Sequence, residues 1–407
     1  MRIFLVDFFT NGHHLEYAKY LGRHMLEQGH EVTLWTWRRD HGLQDVLNRG
    51  LKVRYAVDDG RVPLPKQTLR MISPFCRGLR NCLAGAAKEQ ADIVHLLYLD
   101  RAMPLPLWWN RWRSEVRTPI FGTLFWPYHF LDIADLGCSE KLYRNLVRKS
   151  LRSLLLEGKL AGLFVHTERV KNLILRTLRL KSLEDRCVVV PDPLPDPLET
   201  PNQAAAKSGC RMQLGLPQDR IVFLYFGELR DNKGPEVLLR AIRSLPRDAL
   251  VVFAGTPEGT LSLRDWEEQV RGQGLDGRVR LDLRRIPDNL LPVYFQAADA
   301  VVLPYRRSYL GTSGVLQWAA CLGRPVIATN VGDVGDLVRQ YGLGLVAEPD
   351  DPARLAAAIN QYMREREAIE AMVTERAPLY RAQHHWRQTA ASVLRAYECV
   401  VHAPPGN

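Results

Sequence analysis

Short apolar runs recur along the chain, each pair separated by enough residues for one amphipathic helix. Residues 2–6 form the first run. Leu15 to Gln28 then carries apolar residues at helical spacing and stops at Gly29, and Glu31-Val32-Thr33-Leu34-Trp35 is the next run. Strand, helix and strand in that order predict a parallel sheet. Ala91–Leu96, Pro119–Thr123, Leu163–His166 and Cys187–Val190 read as further strands. Pro191, Pro193, Pro195 and Pro197 then follow within seven residues, a linker signal. Beyond it the alternation restarts. Ile221–Phe226, Leu250–Ala254, Val279–Leu283, Val301–Leu303 and Pro325–Thr329 read as strands, with helices over Pro235–Ser244 and Leu290–Ala297. Pro235 suits a first helical turn. From about Thr374 the pattern is mostly helical. The expected fold class is α/β, two doubly wound parallel sheets in tandem with no short-period repeat.

Two loops of the second half combine glycine with groups that suit an anion. After Val301–Leu303 come a polar stretch from Arg306 to Ser313, an apolar helix, the strand Pro325–Thr329 and a second glycine loop, Gly332 to Gly335. A loop running into a helix points backbone N–H groups at a phosphate. Thr312 and Ser313 are natural N-caps, and Gly311 and Gly314 let a ligand approach the backbone. The segment GELRDNKG places Arg230 and Lys233 three residues apart between a strand and a helix. Arginine supplies a bidentate fork and lysine a mobile point charge, a combination that meets a departing diphosphate. Taken singly, each loop also reads as an ordinary turn. The first loop, NGHH, is not GxGxxG, which counts against a dinucleotide-binding dehydrogenase.

Composition narrows the class. A chain of 407 residues with 46% hydrophobic and 25% charged residues is expected to form two or three globular domains. Seven cysteines without a CxxC pair argue against a disulfide framework and a structural zinc site, and fit a reducing, cytoplasmic setting. MRIFLVDFFTNGHH meets Asp7 too early for a signal peptide, and no apolar stretch reaches membrane-spanning length. Asp58-Asp59 reads as a turn, and no metal motif appears. The net charge of +10 is uneven: residues 1–200 hold 30 Lys and Arg against 22 Asp and Glu. That excess points to an acidic partner, an anionic membrane surface or an anionic acceptor before nucleic acid. Lys141, Arg144, Arg148 and Arg152 at helical spacing, with Arg70 to Arg80 and the tryptophans of Trp108 to Arg113, suggest a face for an anionic bilayer. A domain helix with its cations in water is the alternative.

Read together, LPY, GTSGVL and GRPVIATNVGDVGDLV resemble the donor-binding segment of retaining GT-B glycosyltransferases of family four, also called group one. FG-x-x-R-x-x-KG resembles the diphosphate clamp of a branch with an SGV loop, residue for residue at Arg230 and Lys233. The family's paired glutamates fall here on Leu310 and Trp318, neither of which offers a carboxylate. The resemblance implies the GT-B fold, two Rossmann-like domains facing across a cleft. Their expected bounds are 1–198 on the acceptor side and 199–383 on the nucleotide-sugar side, with a helix over 384–407 returning to the first domain. It implies donor contacts at Gly12, Arg285, Ile286, Gly311, Thr312, Ser313, Gly314 and Val315, with Asp336 at the family's glutamate position. The family often places a histidine two residues after a threonine at the reacting sugar; the direct match is Phe125, and the nearest imidazole, His129, is the candidate taken beside Arg230 and Lys233. By the same resemblance His13 and His14 touch donor or acceptor, with loop histidines satisfied by backbone as the alternative, while Glu228 has no assigned role.

The expected activity is therefore transfer of a sugar from a nucleoside-diphosphate sugar to a glycan or lipid-linked acceptor hydroxyl, with retention. No cofactor or metal is expected, and no nucleic-acid partner. The expected setting is cytoplasmic, peripheral on the membrane's inner face. The alternative is a GT-B module that binds nucleotide or glycan without transfer, as a partner subunit.

Overall fold

The computed structural model describes residues 1–8, 13–36, 50–56, 68–99, 118–125, 127–131, 136–195, 207–258, 263–309 and 311–402, without the side chains of residues 13–15 and 68–76. Gly12, Asp58-Asp59, Trp108 to Arg113 and Leu310 lie outside these residues, as do the side chains of His13, His14 and Arg70. The chain divides into two compact units, Met1–Asp192 with Trp386–Asn407, and Pro193–His385.

In the first unit the strands are β1 (Arg2–Val6), β2 (Glu31–Thr36), β3 (Lys52–Tyr55), β4 (Ile93–Leu96), β5 (Ile120–Thr123), β6 (Gly162–Val165) and β7 (Cys187–Val189), and the helices are α1 (His13–Glu27), α2 (Thr68–Lys88), α3 (Cys138–Leu156) and α4 (Glu168–Leu178). The sheet is parallel, in the order β3-β2-β1-β4-β5-β6-β7. Its side chains alternate between two cores. Phe4, Val6, Leu163 and Val165 pack with Leu79, Val147 and Leu151 on one face, while Ile3, Leu5 and Phe164 pack with Tyr17, Leu21, Trp386 and Tyr397 on the other. Because both faces are covered, the strands read as continuous apolar runs.

The second unit has β8 (Ile221–Phe226), β9 (Ala249–Ala254), β10 (Val279–Asp282), β11 (Ala300–Leu303), β12 (Val326–Thr329) and β13 (Gly344–Ala347). Its helices are α5 (Lys207–Leu214), α6 (Pro235–Ala241), α7 (Leu263–Gly272), α8 (Leu291–Ala297), α9 (Gly314–Cys321), α10 (Gly332–Tyr341), α11 (Pro352–Arg364) and α12 (Arg366–Gln383). The strand order is β10-β9-β8-β11-β12-β13, all parallel, so the connection reverses direction between β8 and β11. In an open α/β sheet, ligands bind at the strand C-termini beside such a reversal. The loops after β8 and β11 are the two read from the sequence as anion loops. A last helix, α13 (Trp386–Val401), returns to the first unit and packs on α1. There Tyr397 Oη meets His95 Nδ1 at 2.6 Å while His95 Nε2 meets Thr123 Oγ1 at 2.8 Å. Burial pulls His95 down to about 3, so the bridge is a neutral one.

Two expectations need correction. Gly332 to Gly335 is the first turn of α10 rather than a loop. A Cβ on Gly335 would fall 2.9 Å from Asn330 Cα, so glycine there admits a tight strand-to-helix turn. Arg144 and Arg148 of α3 do not lie on a solvated face, whereas Lys141 and Arg152 are exposed. Arg144 is 4% exposed and donates to the carbonyls of Tyr128 and Leu131; Arg148 donates to His129 O at 2.6 Å and Leu131 O at 3.2 Å; Arg152 donates to Leu178 O at 3.0 Å. Helical spacing showed that they share a side, and the carbonyls of Tyr128, His129 and Leu131, in and just after the 3-10 turn Pro127–Phe130, meet Arg144 and Arg148 on that side. Among the described residues no helix is long and apolar enough to cross a membrane.

Candidate functional site

The loop after β8 turns at Gly227, whose φ of +104° suits glycine. Gly255, after β9, stands so close that a Cβ there would lie 1.9 Å from Gly227 O. Leu229 N–H donates to Thr256 O at 2.9 Å and Glu258 N–H to Leu229 O at 3.2 Å, so the loops after β8 and β9 run together. The β8 loop then closes through Gly234, left-handed at φ +63°, where a Cβ would strike Pro304 O at 2.1 Å. Arg306 completes the clasp: its N–H donates to Asn232 O at 3.0 Å and its Nη1 lies 2.8 Å from Asp231. Three glycines thus permit close approaches by which the loops after β8, β9 and β11 become one surface.

On the β11 side, Ser313 caps α9 by accepting from Leu316 N–H at 3.2 Å, and is 3% exposed. The Tyr305 hydroxyl meets Ser313 Oγ at 2.9 Å, and Tyr309 Oη donates to Thr312 O at 2.6 Å. Burial pushes Tyr305 up to about 12, so its hydroxyl keeps its proton. Of the two cap candidates, Ser313 takes the role and Thr312 contributes its carbonyl. Gly314, exposed, opens the helix, and Val315 is buried behind it.

Lys233 joins the two halves. A Cβ placed on Gly227 would lie 3.2 Å from Lys233 Nζ and 3.8 Å from Val315 Cγ2, so the amine stands between the end of β8 and the first turn of α9. Burial, then the Arg230 charge, pulls its ammonium down to about 8 against the opposing pull of Glu228 and Glu258. Arg230 Nη1 lies 3.4 Å from Glu228 and 3.9 Å from Glu258. Both carboxylates are more than half exposed, and pairs of that kind are worth about 1 kcal/mol or less.

Arg230, Lys233, Ser313, Gly314 and Val315 therefore come together, with Gly311 and Thr312 in the same loop. Arg285 is exposed and Ile286 is 6% exposed, in the segment after β10. Asp336 pairs with Arg339 of its own helix at 3.2 Å. His129 belongs to the other unit, in the 3-10 turn held by Arg144 and Arg148, with its ring beside Tyr128 and Tyr143. Burial, then those two arginine charges, lowers it to about 4. Trp318, at the position of one family glutamate, packs on Phe295 with ring centroids 6.1 Å apart. Sequence reasoning missed Gly227, Gly255 and Tyr305; a glycine directly after a buried strand was the signal for the first two. Among the described residues no group of three or more His, Cys, Asp or Glu is arranged for a metal ion.

Residues 220–365, which carry these loops, match the family model described as Glycosyl transferases group 1. A D-inositol 3-phosphate glycosyltransferase of Corynebacterium urealyticum is 31% identical over 212 residues, covering 50% of this chain and 49% of that protein. A protein of the same name from Acidothermus cellulolyticus is 26% identical over 401 residues, covering 94% and 84%. The chain thus spans about half the length of the first of these relatives. The structure of sucrose-phosphate synthase from Thermosynechococcus elongatus superposes with a TM-score of 0.74 at 19% identity, covering 99% of this chain and 100% of that one. Anabaena Alr3699/HepE in complex with UDP gives 0.71 at 14% identity, covering 97% and 99%. At these identities the likeness concerns the fold, which is the GT-B fold of two Rossmann-like domains.

Proposed function

We propose that this chain is a glycosyltransferase that moves a hexose-type sugar from a nucleoside-diphosphate sugar to an acceptor hydroxyl, with retention of configuration and without a metal ion. One observation carries the reading: the Lys233 amine stands over Gly227 and Val315 beside the Ser313-capped end of α9, at the strand reversal of a segment matching the group 1 family. In the reaction the bond from the sugar's anomeric carbon to the diphosphate oxygen breaks, and its electrons remain on the phosphate. The charge so developed meets Lys233, Arg230 and the N–H groups that open α9, which are in place beforehand. Gly311, Thr312, Ser313, Gly314 and Val315 line the donor's phosphates, and Arg285 and Ile286 the nucleobase edge. The acceptor hydroxyl attacks on the face from which the diphosphate departs and passes its proton to the departing phosphate oxygen, so no enzyme nucleophile is assigned.

The names of the relatives and the basic excess of residues 1–200 favour an anionic acceptor, with D-inositol 3-phosphate the first compound to try. Calorimetric titration with UDP-, GDP- and ADP-sugars, followed by an assay of released nucleotide with and without that acceptor, tests the proposal. Binding of one donor with acceptor-dependent release is the expected result. Failure of all three donors to bind would sink it.

A further inference from the structure

In the first unit, three buried polar atoms without a hydrogen-bond partner gather around one residue of α1. They are Tyr17 Oη, His166 Nε2 and Trp386 Nε1, on residues 4%, 6% and 5% exposed; the polar group nearest Tyr17 Oη is the Thr123 hydroxyl, which is already engaged by His95 Nε2. The Tyr17 ring lies 5.2 Å from Trp386, 5.1 Å from Phe125 and 6.3 Å from His166, and His166 lies 4.4 Å from Phe125. Buried polar groups are normally paired, so orphans grouped in this way call for a guest.

The chemistry of the three atoms restricts that guest. His166 Nδ1 is 3.0 Å from Val190 O. A carbonyl only accepts, so Nδ1 carries the hydrogen, and in the tautomer this bond selects Nε2 offers a lone pair. Trp386 Nε1 offers only a hydrogen. Burial, then the Asp192 charge, keeps the Tyr17 hydroxyl protonated by raising its pKa, and that hydroxyl gives or takes. The guest must therefore donate to His166 while accepting from Trp386. A phosphate dianion has nothing to donate, and an ammonium has nothing with which to accept. A neutral O–H group satisfies all three.

The location suits a ligand. His166 directly follows β6, Phe125 lies two residues beyond β5 and Val190 directly follows β7, at the C-terminal ends of three neighbouring parallel strands. Tyr98 stacks on Phe125 at 4.3 Å and 15°, a flat apolar wall of the kind that packs against the C–H face of a ring.

We propose that Tyr17, His166 and Trp386 form a receptor for one neutral hydroxyl group, whose hydrogen is donated to His166 Nε2. Two sources share this chemistry, an ordered water and a hydroxyl of a sugar or cyclitol. In the second case the proposal rests on the transferase reading, and the hydroxyl belongs to the acceptor. The test is long-range proton–nitrogen correlation NMR on the full chain labelled with nitrogen-15 histidine, with His166 assigned from His166→Gln. Tyr17→Phe, which removes one partner, provides the assignment if the glutamine variant fails to fold. Spectra are compared without additive and with glycerol, D-glucose and methyl α-D-glucopyranoside. A hydrogen-bonded Nε2 that ignores the polyols assigns the guest as water. An Nε2 that shifts with a sugar, and not with glycerol, assigns it as substrate. An Nε2 at the unbonded position throughout overturns the proposal. No nucleotide enters the measurement, so a chain that binds no nucleoside diphosphate refutes the transferase reading by a separate result.

Discussion

Gly227→Ala probes the position of the Lys233 amine without altering a charged side chain. The perturbation has two parts. At φ +104° any L side chain is strained, at a cost of about 1–3 kcal/mol. The new Cβ would also lie 3.2 Å from Nζ, tighter than an ordinary contact, so the amine must give by a few tenths of an ångström. Because Nζ ends a flexible side chain, that displacement costs stability little and alters mainly where the charge sits. Gly274→Ala provides the control. It carries a backbone cost at φ +65°, and its Cβ would have nothing within 4 Å. Both variants should lower the midpoint of thermal unfolding, by roughly 2–4 °C per kcal/mol for a unit of this size. Only Gly227→Ala should weaken nucleoside-diphosphate binding, by about tenfold or more, equivalent to ~1.4 kcal/mol. Calorimetric titration of the folded variants makes the comparison. Equal affinities in the two would show that the amine's position over Gly227 plays no part in binding.

Lys233 also sets a pH dependence. Its pKa is lowered from 10.5 to about 8, so from pH ~8 upward the free protein loses the cation that a diphosphate needs. Affinity for nucleoside diphosphate should be flat between pH ~7, where the terminal phosphate with its second pKa of about 6 is already charged, and pH ~8, and fall by up to tenfold per unit above that, and Lys233→Arg should abolish the decline; an identical profile in that variant contradicts the assignment. The same shift means that this group's contribution to folding stability improves as pH rises from about 8 to 10.5, the charged form being the disfavoured one in the fold. Gly314→Val should abolish donor binding by placing a branched side chain at the opening of α9, and affinity within a few-fold in a folded variant would exclude a phosphate there. Asp299→Ala should cost about 3–5 kcal/mol in urea unfolding, because it strips Lys207 (2.7 Å), Arg211 (2.5 Å) and Arg366 (2.9 Å) of a buried carboxylate; a loss below ~1 kcal/mol would show that the network is dispensable.

What the sequence revealed and what it hid follow from the range of the interactions. Five of the six strands after residue 220 were legible because a parallel sheet covered on both faces needs unbroken apolar runs, as in the buried Ala249–Ala254 and Val326–Thr329, while the partly buried β13 was missed. The loops GELRDNKG and GTSGVL were legible because cations, glycines and a cap are local signals. The covering of Arg144 and Arg148 was missed because periodicity shows which residues share a side but not what covers it. The contacts among Gly227, Gly255, Pro304 and Lys233 join three loops distant in sequence, and no local pattern records them. The same holds for His166, whose neighbours come from α1 and the segments after β5 and β7.

The central claim is that Lys233 and the opening of α9 hold a nucleoside diphosphate. Its most direct test is calorimetric titration of UDP, GDP and ADP into the native chain, Lys233→Ala and Arg230→Ala. One nucleotide is expected to bind the native chain, and each replacement to weaken it by about 10²-fold, ~2.7 kcal/mol, in variants that remain folded. Native-like affinity in both variants, or no binding of any of the three to the native chain, would contradict it.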